Sequence, residues 1–361
     1  MGLKHRIKAG LRGLYARVLW GTGLHRVVDR FSRPRLLVLY GHCVDQPRTN
    51  GSLDADMKIS GARLEKILET LGRRHDLVTL GEGLERLRSG CGGRSMVALT
   101  MDDGYRDNLH DLVPLLERTG ARATVFLEGG AVASRELPWL HALGWLVGRL
   151  GATEAAARVA ASLGEVPGSP VGITDAGTLK RRLKYDADPD RRDAALQALV
   201  EAEGGDPVQI VDDLYLSMDE ARALAAAGPV EVGGHTAHHP VLARLGVNAQ
   251  EREISGGAAL LRELLDEEVS EEGRAPLGAS GHAFAYPYGR RWDIGEHSPG
   301  VVAAAGYTCA VTTHAGVNHR STDPYLLKRW PIHDGTRLHE VGVEASGGFE
   351  LLRRLGIDLV E

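Results

Sequence analysis

The fold is decided by the stretch Met96-Val97-Ala98-Leu99-Thr100-Met101-Asp102-Asp103-Gly104-Tyr105. Its apolar beginning is typical of a buried strand, and Asp-Asp-Gly is a strong turn signal. Consecutive side chains face opposite ways as the chain leaves a strand, so Asp102 and Asp103 can take different tasks without repelling each other in one spot. One carboxylate can bind a metal ion while its neighbour handles protons.

A second motif lies far downstream, His235-Thr236-Ala237-His238-His239-Pro240. His235 and His239 are four residues apart, and this spacing predicts that both imidazoles lie on one face of a helical turn that Pro240 ends. Two neutral imidazoles and a carboxylate make a three-ligand catalytic zinc site with a position open for water. Zinc lowers the pKa of its water to about 7, so a nearby carboxylate, here Asp102, can act as base.

Each motif alone has an ordinary interpretation. Asp-Asp-Gly is more often a turn than a site, and two histidines at this spacing often lie on a solvated helix face. A third motif, Phe284-Ala285-Tyr286-Pro287-Tyr288-Gly289, again follows an apolar stretch and again stands at a turn. Three such motifs in one chain favour a catalytic centre over three unrelated turns.

Thr-x-Asp-Asp-Gly, His-Thr-x-x-His-Pro and Pro-Tyr-Gly, in this order, resemble the polysaccharide deacetylase family of the NodB homology type, carbohydrate esterase family 4. The resemblance covers about residues 96–333. It implies a deformed (β/α) barrel and a hydrolase that cleaves the carbon–nitrogen amide bond of an N-acetylated sugar in a bacterial polysaccharide or its lipid-linked precursor. A divalent metal is implied, most often Zn²⁺, although two histidines and an aspartate also suit other transition metals.

The resemblance also implies roles for single residues. Asp102 is the catalytic base, and His238 is not expected to bind the metal. The backbone N–H of Tyr288, which follows Pro287, helps to hold the oxyanion, a contribution worth about 2.7–4 kcal/mol of barrier. The implied metal ligands are Asp103, His235 and His239.

The chain departs from the family pattern in two places. Many members carry an arginine that tethers the base two residues before the proline, where this chain has Ala285. Arg329 is the candidate replacement. The late Leu-x-His that supplies the general acid in many members has only a degenerate counterpart here, which makes His333 the candidate acid and leaves His314 and His319 as rivals.

Composition limits the remaining possibilities. The chain has 361 residues, enough for a complete α/β barrel, with 43% hydrophobic and 25% charged residues. Three scattered cysteines indicate neither a disulfide framework nor a metal site and fit a reducing compartment. A formal net charge of −5 does not favour a nucleic-acid partner.

The N-terminal segment, residues 1–30, is predicted to be a basic amphipathic helix. Arg12 and Arg17 interrupt any signal-peptide core, and the chain has no run of 18 apolar residues, so we expect a cytoplasmic protein. Residues 1–20 either contact the inner face of an anionic membrane or pack against the barrel. The sequence leaves both alternatives open.

Alternating strand and helix patterns predict parallel strands with the site at their C-terminal ends. We expect the barrel over residues 35–340, a C-terminal helical tail over 341–361, and an inserted helical subdomain over about 134–216. Trp139 and Trp145 in the insertion could stack on a sugar, but aromatic residues at helical spacing are more often core. The predicted strands are Arg35–His42, Leu77–Leu80, Met96–Thr100, Ala123–Leu127, Val230–Gly233, Ala283–Ala285 and Cys309–Thr312.

Two other functions fit parts of the pattern. A carbohydrate-binding pseudoenzyme would keep the cleft without turnover, and the missing arginine at Ala285 favours it, whereas the intact Asp102 argues against it. A metal-dependent phosphohydrolase would need Lys or Arg clamps for phosphate, and only Arg290 and Arg291 flank the motifs. Product analysis, acetate against phosphate, separates hydrolysis of an amide from hydrolysis of a phosphate ester.

Overall fold

The computed structural model describes residues 3–32, 34–44, 54–90, 93–164, 172–266 and 282–359. The strands within these ranges are β1 (Leu36–Gly41), β2 (Cys43–Val44), β3 (Lys58–Ile59), β4 (Asp76–Val78), β5 (Met96–Met101), β6 (Ala123–Leu127), β7 (Val230–Gly234), β8 (Ala283–Ala285), β9 (Cys309–Val311), β10 (Val317–Asn318) and β11 (Trp330–Pro331).

The helices surround and cover the sheet. They are α1 (Leu3–Gly21), α2 (Leu24–Phe31), α3 (Gly61–Gly72), α4 (Leu80–Ser89), α5 (Val113–Thr119), α6 (Trp139–Leu150), α7 (Ala152–Leu163), α8 (Ala176–Tyr185), α9 (Pro189–Ala202), α10 (Pro207–Leu214), α11 (Met218–Ala225), α12 (Val247–Leu264), α13 (Arg291–Ile294), α14 (Ser298–Ala304), α15 (Leu338–Ala345) and α16 (Gly348–Arg354). Among these described residues, no helix is long and apolar enough to cross a membrane.

The main sheet is a curled barrel of mainly parallel strands, in which β10 pairs with β1 in the antiparallel direction. Strands β1, β5, β6, β7, β8 and β9 pair in that order, each parallel to the next. The gap between β9 and β1 is closed by one segment, in which Leu327 pairs with Val311 and Trp330 pairs with Leu39. The predicted deformed (β/α) barrel is therefore confirmed, and the sheet brings the C-terminal ends of its parallel strands to one edge.

Strand β5 forms along an almost uninterrupted apolar stretch. Every residue of β5 is buried, as expected of a parallel strand covered on both faces. The strand predicted over Leu77–Leu80 ends earlier, at Val78. Thr79 instead caps α4, because its hydroxyl accepts from the Glu82 backbone N–H while the Glu82 carboxylate accepts from the Thr79 N–H.

The stretch between β6 and β7 is helical, as predicted. Helices α6 to α10 have a hydrophobic core of their own, formed by side chains such as Leu143, Val159, Leu179 and Leu196. Tyr105, which follows the Asp-Asp-Gly turn, joins this core, so the inserted helices cover the C-terminal edge of the barrel. The Pro-Gly-Ser-Pro break at residues 167–170 lies outside the described residues. The domain boundaries given above stay predictions.

The first helix packs against the barrel and also leaves an apolar stripe exposed. Ala16 is fully buried and Trp20 packs against Gly342 of α15. The exposed side is formed by Ile7, Leu11, Leu14 and Val18, each more than half accessible. Helix α2 continues this exposed apolar surface with Leu24, Val27 and Phe31.

Candidate active site

Three loops at the C-terminal edge of the barrel carry the motif residues. Asp102 and Asp103 follow β5, His235 follows β7, and Tyr288 follows β8 by three residues. The ends of neighbouring parallel strands meet at this edge, which is where barrels carry their sites. Side chains separated by nearly 190 positions in the sequence are thereby placed in contact.

Asp103, His235 and His239 form a group that can hold a metal ion. Asp103 Oδ1 lies 3.2 Å from His235 Nε2 and 3.6 Å from His239 Nε2. One ligand atom from each of the three residues lies within 4.8 Å of the other two. This is the predicted ligand set, with two imidazole nitrogens and one carboxylate oxygen.

The donor atoms of this group fit an ion. Asp103 Oδ1 is buried and has no hydrogen-bond partner in the described part of the chain. His235 Nδ1 lies 2.7 Å from the Ala285 carbonyl oxygen, so Nδ1 carries the proton and Nε2 faces Asp103. This is the usual orienting contact of a metal-binding histidine. Burial, reinforced by the neighbouring His235, lowers the pKa of His239 to about 3, which keeps its ring neutral.

The predicted helical turn between the two histidines is wrong. Thr236 and His239 have φ of 65° and 53°, in the left-handed region, so residues 235–239 form an irregular loop. The Thr236 hydroxyl accepts a hydrogen bond from the His239 backbone N–H at 3.0 Å and closes this loop. The rings still meet, with centroids 4.7 Å apart. His238 points away from them, with Nδ1 2.9 Å from Glu253 Oε1.

Asp102 faces a different partner from Asp103. Its two carboxylate oxygens accept from Arg329 Nη1 at 2.7 Å and Nη2 at 2.8 Å. Arg329 is fully buried, and its Nε donates to the Thr312 carbonyl at 2.8 Å. Burial opposes ionisation of Asp102, but the charge and hydrogen bonds of Arg329 outweigh it and lower the pKa of this carboxyl. The predicted replacement arginine thus lies against the predicted base.

Backbone strain concentrates at these loops. Six non-glycine residues in the described ranges have positive φ, and four of them are Asp103, Thr236, His239 and Tyr288. Such conformations cost about 1–3 kcal/mol each and persist where the surroundings fix them, commonly at functional sites. Here they occur in the loops that carry the two carboxylates, the two histidines and Tyr288.

Tyr288 lies beside the three-residue group. Its ring centroid is 4.6 Å from that of His239, and its hydroxyl accepts from Trp139 Nε1 at 3.1 Å. Among the described residues none accepts a hydrogen bond from the Tyr288 backbone N–H. Trp139 is buried in the insertion core, so the core interpretation of this tryptophan, and not sugar stacking, agrees with the structure.

The three candidate acids occupy different places. His333 follows β11, and its Nδ1 accepts from the Gly335 backbone N–H at 3.0 Å, which leaves Nε2 as the proton-bearing nitrogen. His314 follows β9, and its carbonyl accepts from the Arg329 N–H. His319 pairs with Glu350 of α16 at 2.8 Å, near Met96 at the opposite edge of the barrel. His319 is therefore not brought to the site.

Two further residues, His42 and Glu128, follow the strands on either side of β5. His42 directly follows β1, and its Nδ1 is buried without a hydrogen-bond partner in the described part of the chain. Glu128 directly follows β6, and burial followed by the charge of Asp103 raises its pKa well above the usual value. The signal for Glu128 was the same as for Asp102, an acidic residue that ends an apolar strand.

A cleft of about 560 Å³ opens beside the site, within the usual size of small-molecule pockets. Its walls come from β6, the insertion and the histidine loop. The lining includes Glu128, Trp139, Arg192 and His238.

Comparison with known proteins places the chain in a family. Residues 89–310 match the family described as "Polysaccharide deacetylase". The chain belongs to this family and is a hydrolase of carbon–nitrogen bonds that deacetylates N-acetylated sugars. No curated protein matches the sequence.

Solved structures share the fold. A Streptococcus pyogenes deacetylase, PplD, in complex with acetate has a TM-score of 0.54 at 14% identity, covering 87% of this chain and 99% of its own. IcaB from Ammonifex degensii has a TM-score of 0.53 at 17% identity, with 87% and 97% covered. BC0361, a polysaccharide deacetylase from Bacillus cereus, has a TM-score of 0.51 at 17% identity, with 86% and 69% covered.

Proposed function

We propose that the chain is a metal-dependent N-deacetylase acting on a bacterial polysaccharide or its lipid-linked precursor. The observation that carries this proposal is the separation of two adjacent carboxylates. Asp103 faces His235 and His239, whereas Asp102 is held by Arg329. A ligand group and an independent base side by side are what metal-assisted amide hydrolysis requires.

The metal would be held by Asp103, His235 and His239, with Zn²⁺ as the proposed ion. When bound, it supplies Lewis acidity that polarises the acetyl carbonyl and acidifies water. Asp102 takes the proton of the attacking water, and Arg329 fixes the orientation of that carboxylate. The backbone N–H of Tyr288, positioned by Pro287, donates to the oxygen on which negative charge develops.

Completion of the reaction needs a proton on the leaving nitrogen. Water adds to the acetyl carbon, the carbon–nitrogen bond breaks, and the products are acetate and a free sugar amine. The amine must leave protonated, and His333 is the proposed donor, with Nε2–H as the available proton. His314 is the remaining rival.

The structure weakens the main argument for a pseudoenzyme. That argument was the absence of an arginine at Ala285, yet Arg329 makes two hydrogen bonds to Asp102 from elsewhere in the chain. The same pairing removes Arg329 as a phosphate clamp, which a phosphohydrolase would need.

The exposed faces of α1 and α2 support a proposed contact with an anionic membrane. Phe31 is 82% exposed and Leu14 is 60% exposed. The same two helices also expose Arg17, Arg26 and Arg30. Apolar side chains flanked by cations suit a bilayer interface. We place the protein at the cytoplasmic side, where the free thiols of Cys43 and Cys309 fit a reducing compartment.

The test is product analysis on purified protein. N-acetylated oligosaccharides and lipid-linked N-acetylated sugars are offered to enzyme that has been stripped with a chelator and then reloaded with Zn²⁺. The proposal expects acetate only after reloading and no phosphate at any stage. Acetate release that is indifferent to chelation would contradict metal dependence, and phosphate release would contradict the deacetylase assignment.

A further inference from the structure

An open pocket of about 660 Å³ lies between α8 of the insertion and the segments that carry Arg244 and Trp292. None of its residues is used in the proposed mechanism. Helix α8 forms one wall and Trp292 of α13 forms the other. The lining includes Arg181, Arg182, Tyr185, Asp186, Arg244 and Trp292.

The pocket carries excess positive charge. Of its three arginines, Arg182 is paired with Asp186 at 3.5 Å. Arg181 and Arg244 form no ion pair within the described part of the chain, and both are exposed. Two guanidinium groups without a carboxylate partner, facing one cavity, are suited to an oxyanion because each can donate two parallel hydrogen bonds.

An aromatic wall stands beside these cations. Trp292 is 64% exposed, yet its Nε1 donates to the Tyr185 hydroxyl at 3.2 Å. Tyr185 in turn donates to Asp293 Oδ1 at 2.9 Å, and Asp293 is completely buried. The indole is thus anchored at its nitrogen while much of its surface stays accessible. A fixed, exposed aromatic surface of this kind suits the apolar face of a sugar ring.

The pocket is adjacent to the candidate active site. Lys184, the neighbour of Tyr185 on α8, places Nζ 3.4 Å from the centre of the Tyr288 ring and 3.3 Å from Asp293 Oδ2. Tyr288 in turn contacts His239, one of the three candidate metal ligands. Trp292 is also only four residues from Tyr288 in the chain. A saccharide with its acetamido group at the metal group could therefore extend into the pocket.

We propose that this pocket is a substrate subsite for an oxyanion carried by the saccharide, a phosphate or a carboxylate, next to a sugar ring that packs on Trp292. The inference rests on the proposed deacetylation and adds a charge requirement to its substrate. Arg181 and Arg244 bind the oxyanion, and Trp292 binds the neighbouring ring. A neutral saccharide would make only the contact with Trp292.

Titration calorimetry on the zinc-loaded enzyme tests this proposal. The probes are N,N′-diacetylchitobiose, its 1-phosphate, and a disaccharide of N-acetylglucosamine and glucuronate. We expect at least one charged probe to bind about tenfold more tightly than the neutral one, with the difference shrinking between 50 and 300 mM NaCl because salt screens exposed charges. The better charged probe identifies phosphate or carboxylate as the preferred group.

The variant Arg181→Gln/Arg244→Gln should lose the preference for charged probes, and Trp292→Ala should weaken binding of all three. Arg118→Gln, which removes an exposed arginine of α5 outside the pocket, is the matched control and should bind like the wild type. Equal binding of charged and neutral probes by the wild type, or an unchanged preference in the double variant, overturns the subsite. Acetate release is measured separately: its absence on every probe, with the charge preference intact, defeats the proposed reaction and not the anion site.

Discussion

Asp102 and Asp103 have the same side chain and adjacent positions, yet the structure gives them opposite surroundings. Both oxygens of Asp102 accept from one guanidinium group, whereas Asp103 Oδ1 has no hydrogen-bond partner in the described chain and faces two imidazoles. The positive φ of Asp103, 77°, turns the backbone between them. One turn can therefore separate proton transfer from metal binding when different strands supply the partners.

The largest loss of activity is expected when a histidine that faces Asp103 is removed. His235→Ala and His239→Ala each remove one of three ligands and should abolish measurable acetate release together with tight metal binding. His238→Ala is the control, because that ring pairs with Glu253 and points away from the group. Metal content by mass spectrometry after dialysis checks this prediction. A His238→Ala protein that lost its metal, beside a His239→Ala protein that kept it, would show that the ligands are misassigned.

The next effect concerns the proton that the leaving amine needs. If His333 supplies it, His333→Gln should lower kcat about a hundredfold, the low end of the range for a general acid, without changing metal content. The same substitution at His314 is the comparison. Should His314→Gln give the larger loss, the acid is on the β9 side of the barrel.

Substitutions of Arg329 test how the Asp102 carboxylate is held in place. Arg329→Lys keeps the charge but loses the paired hydrogen bonds, and we expect kcat to fall about ten- to a hundredfold with metal content unchanged. Arg329→Ala should in addition lower the free energy of unfolding by about 3–5 kcal/mol, because it leaves Asp102 buried without its partner. Full activity in Arg329→Lys with normal pH dependence would mean that some other group orients the base.

Substitutions on the exposed apolar faces of α1 and α2 should have the smallest effect on the two carboxylates and on catalysis. Leu14→Ser/Phe31→Ser should weaken co-sedimentation with anionic vesicles, since burying each side chain is worth about 1.5–3 kcal/mol, while metal content and acetate release stay as in the wild type. Val208→Ser, which replaces an exposed apolar residue of α10, is the control. Vesicle binding that does not change in the double variant contradicts the proposed membrane contact.

The elements of the barrel were predictable because their signals are local. The strands predicted over Met96–Thr100 and Ala123–Leu127 both appear where the sequence predicts them. The helical turn over His235–His239 was predicted wrongly, because spacing alone does not reveal a loop closed by the Thr236 hydroxyl. Local patterns predict elements well and irregular loops poorly.

Contacts between distant segments were harder to predict from the sequence. The pairing of Arg329 with Asp102 could be suggested only through a resemblance, since no local pattern links positions 227 residues apart. Glu128 was overlooked because a single acidic residue after a strand is not a motif by itself. The exposed stripe of α1 was predicted as an apolar face, but which face packs on the barrel depends on the position of α15.

The most direct test separates the two carboxylates on the same purified samples. Zinc stoichiometry and acetate release are measured together for wild type, Asp102→Asn and Asp103→Ala. We predict that Asp102→Asn keeps its zinc and loses turnover by about 10²–10⁴-fold, since an amide cannot accept the proton, whereas Asp103→Ala loses zinc and turnover together. An Asp102→Asn protein without zinc, beside an Asp103→Ala protein that keeps both zinc and activity, would contradict this prediction.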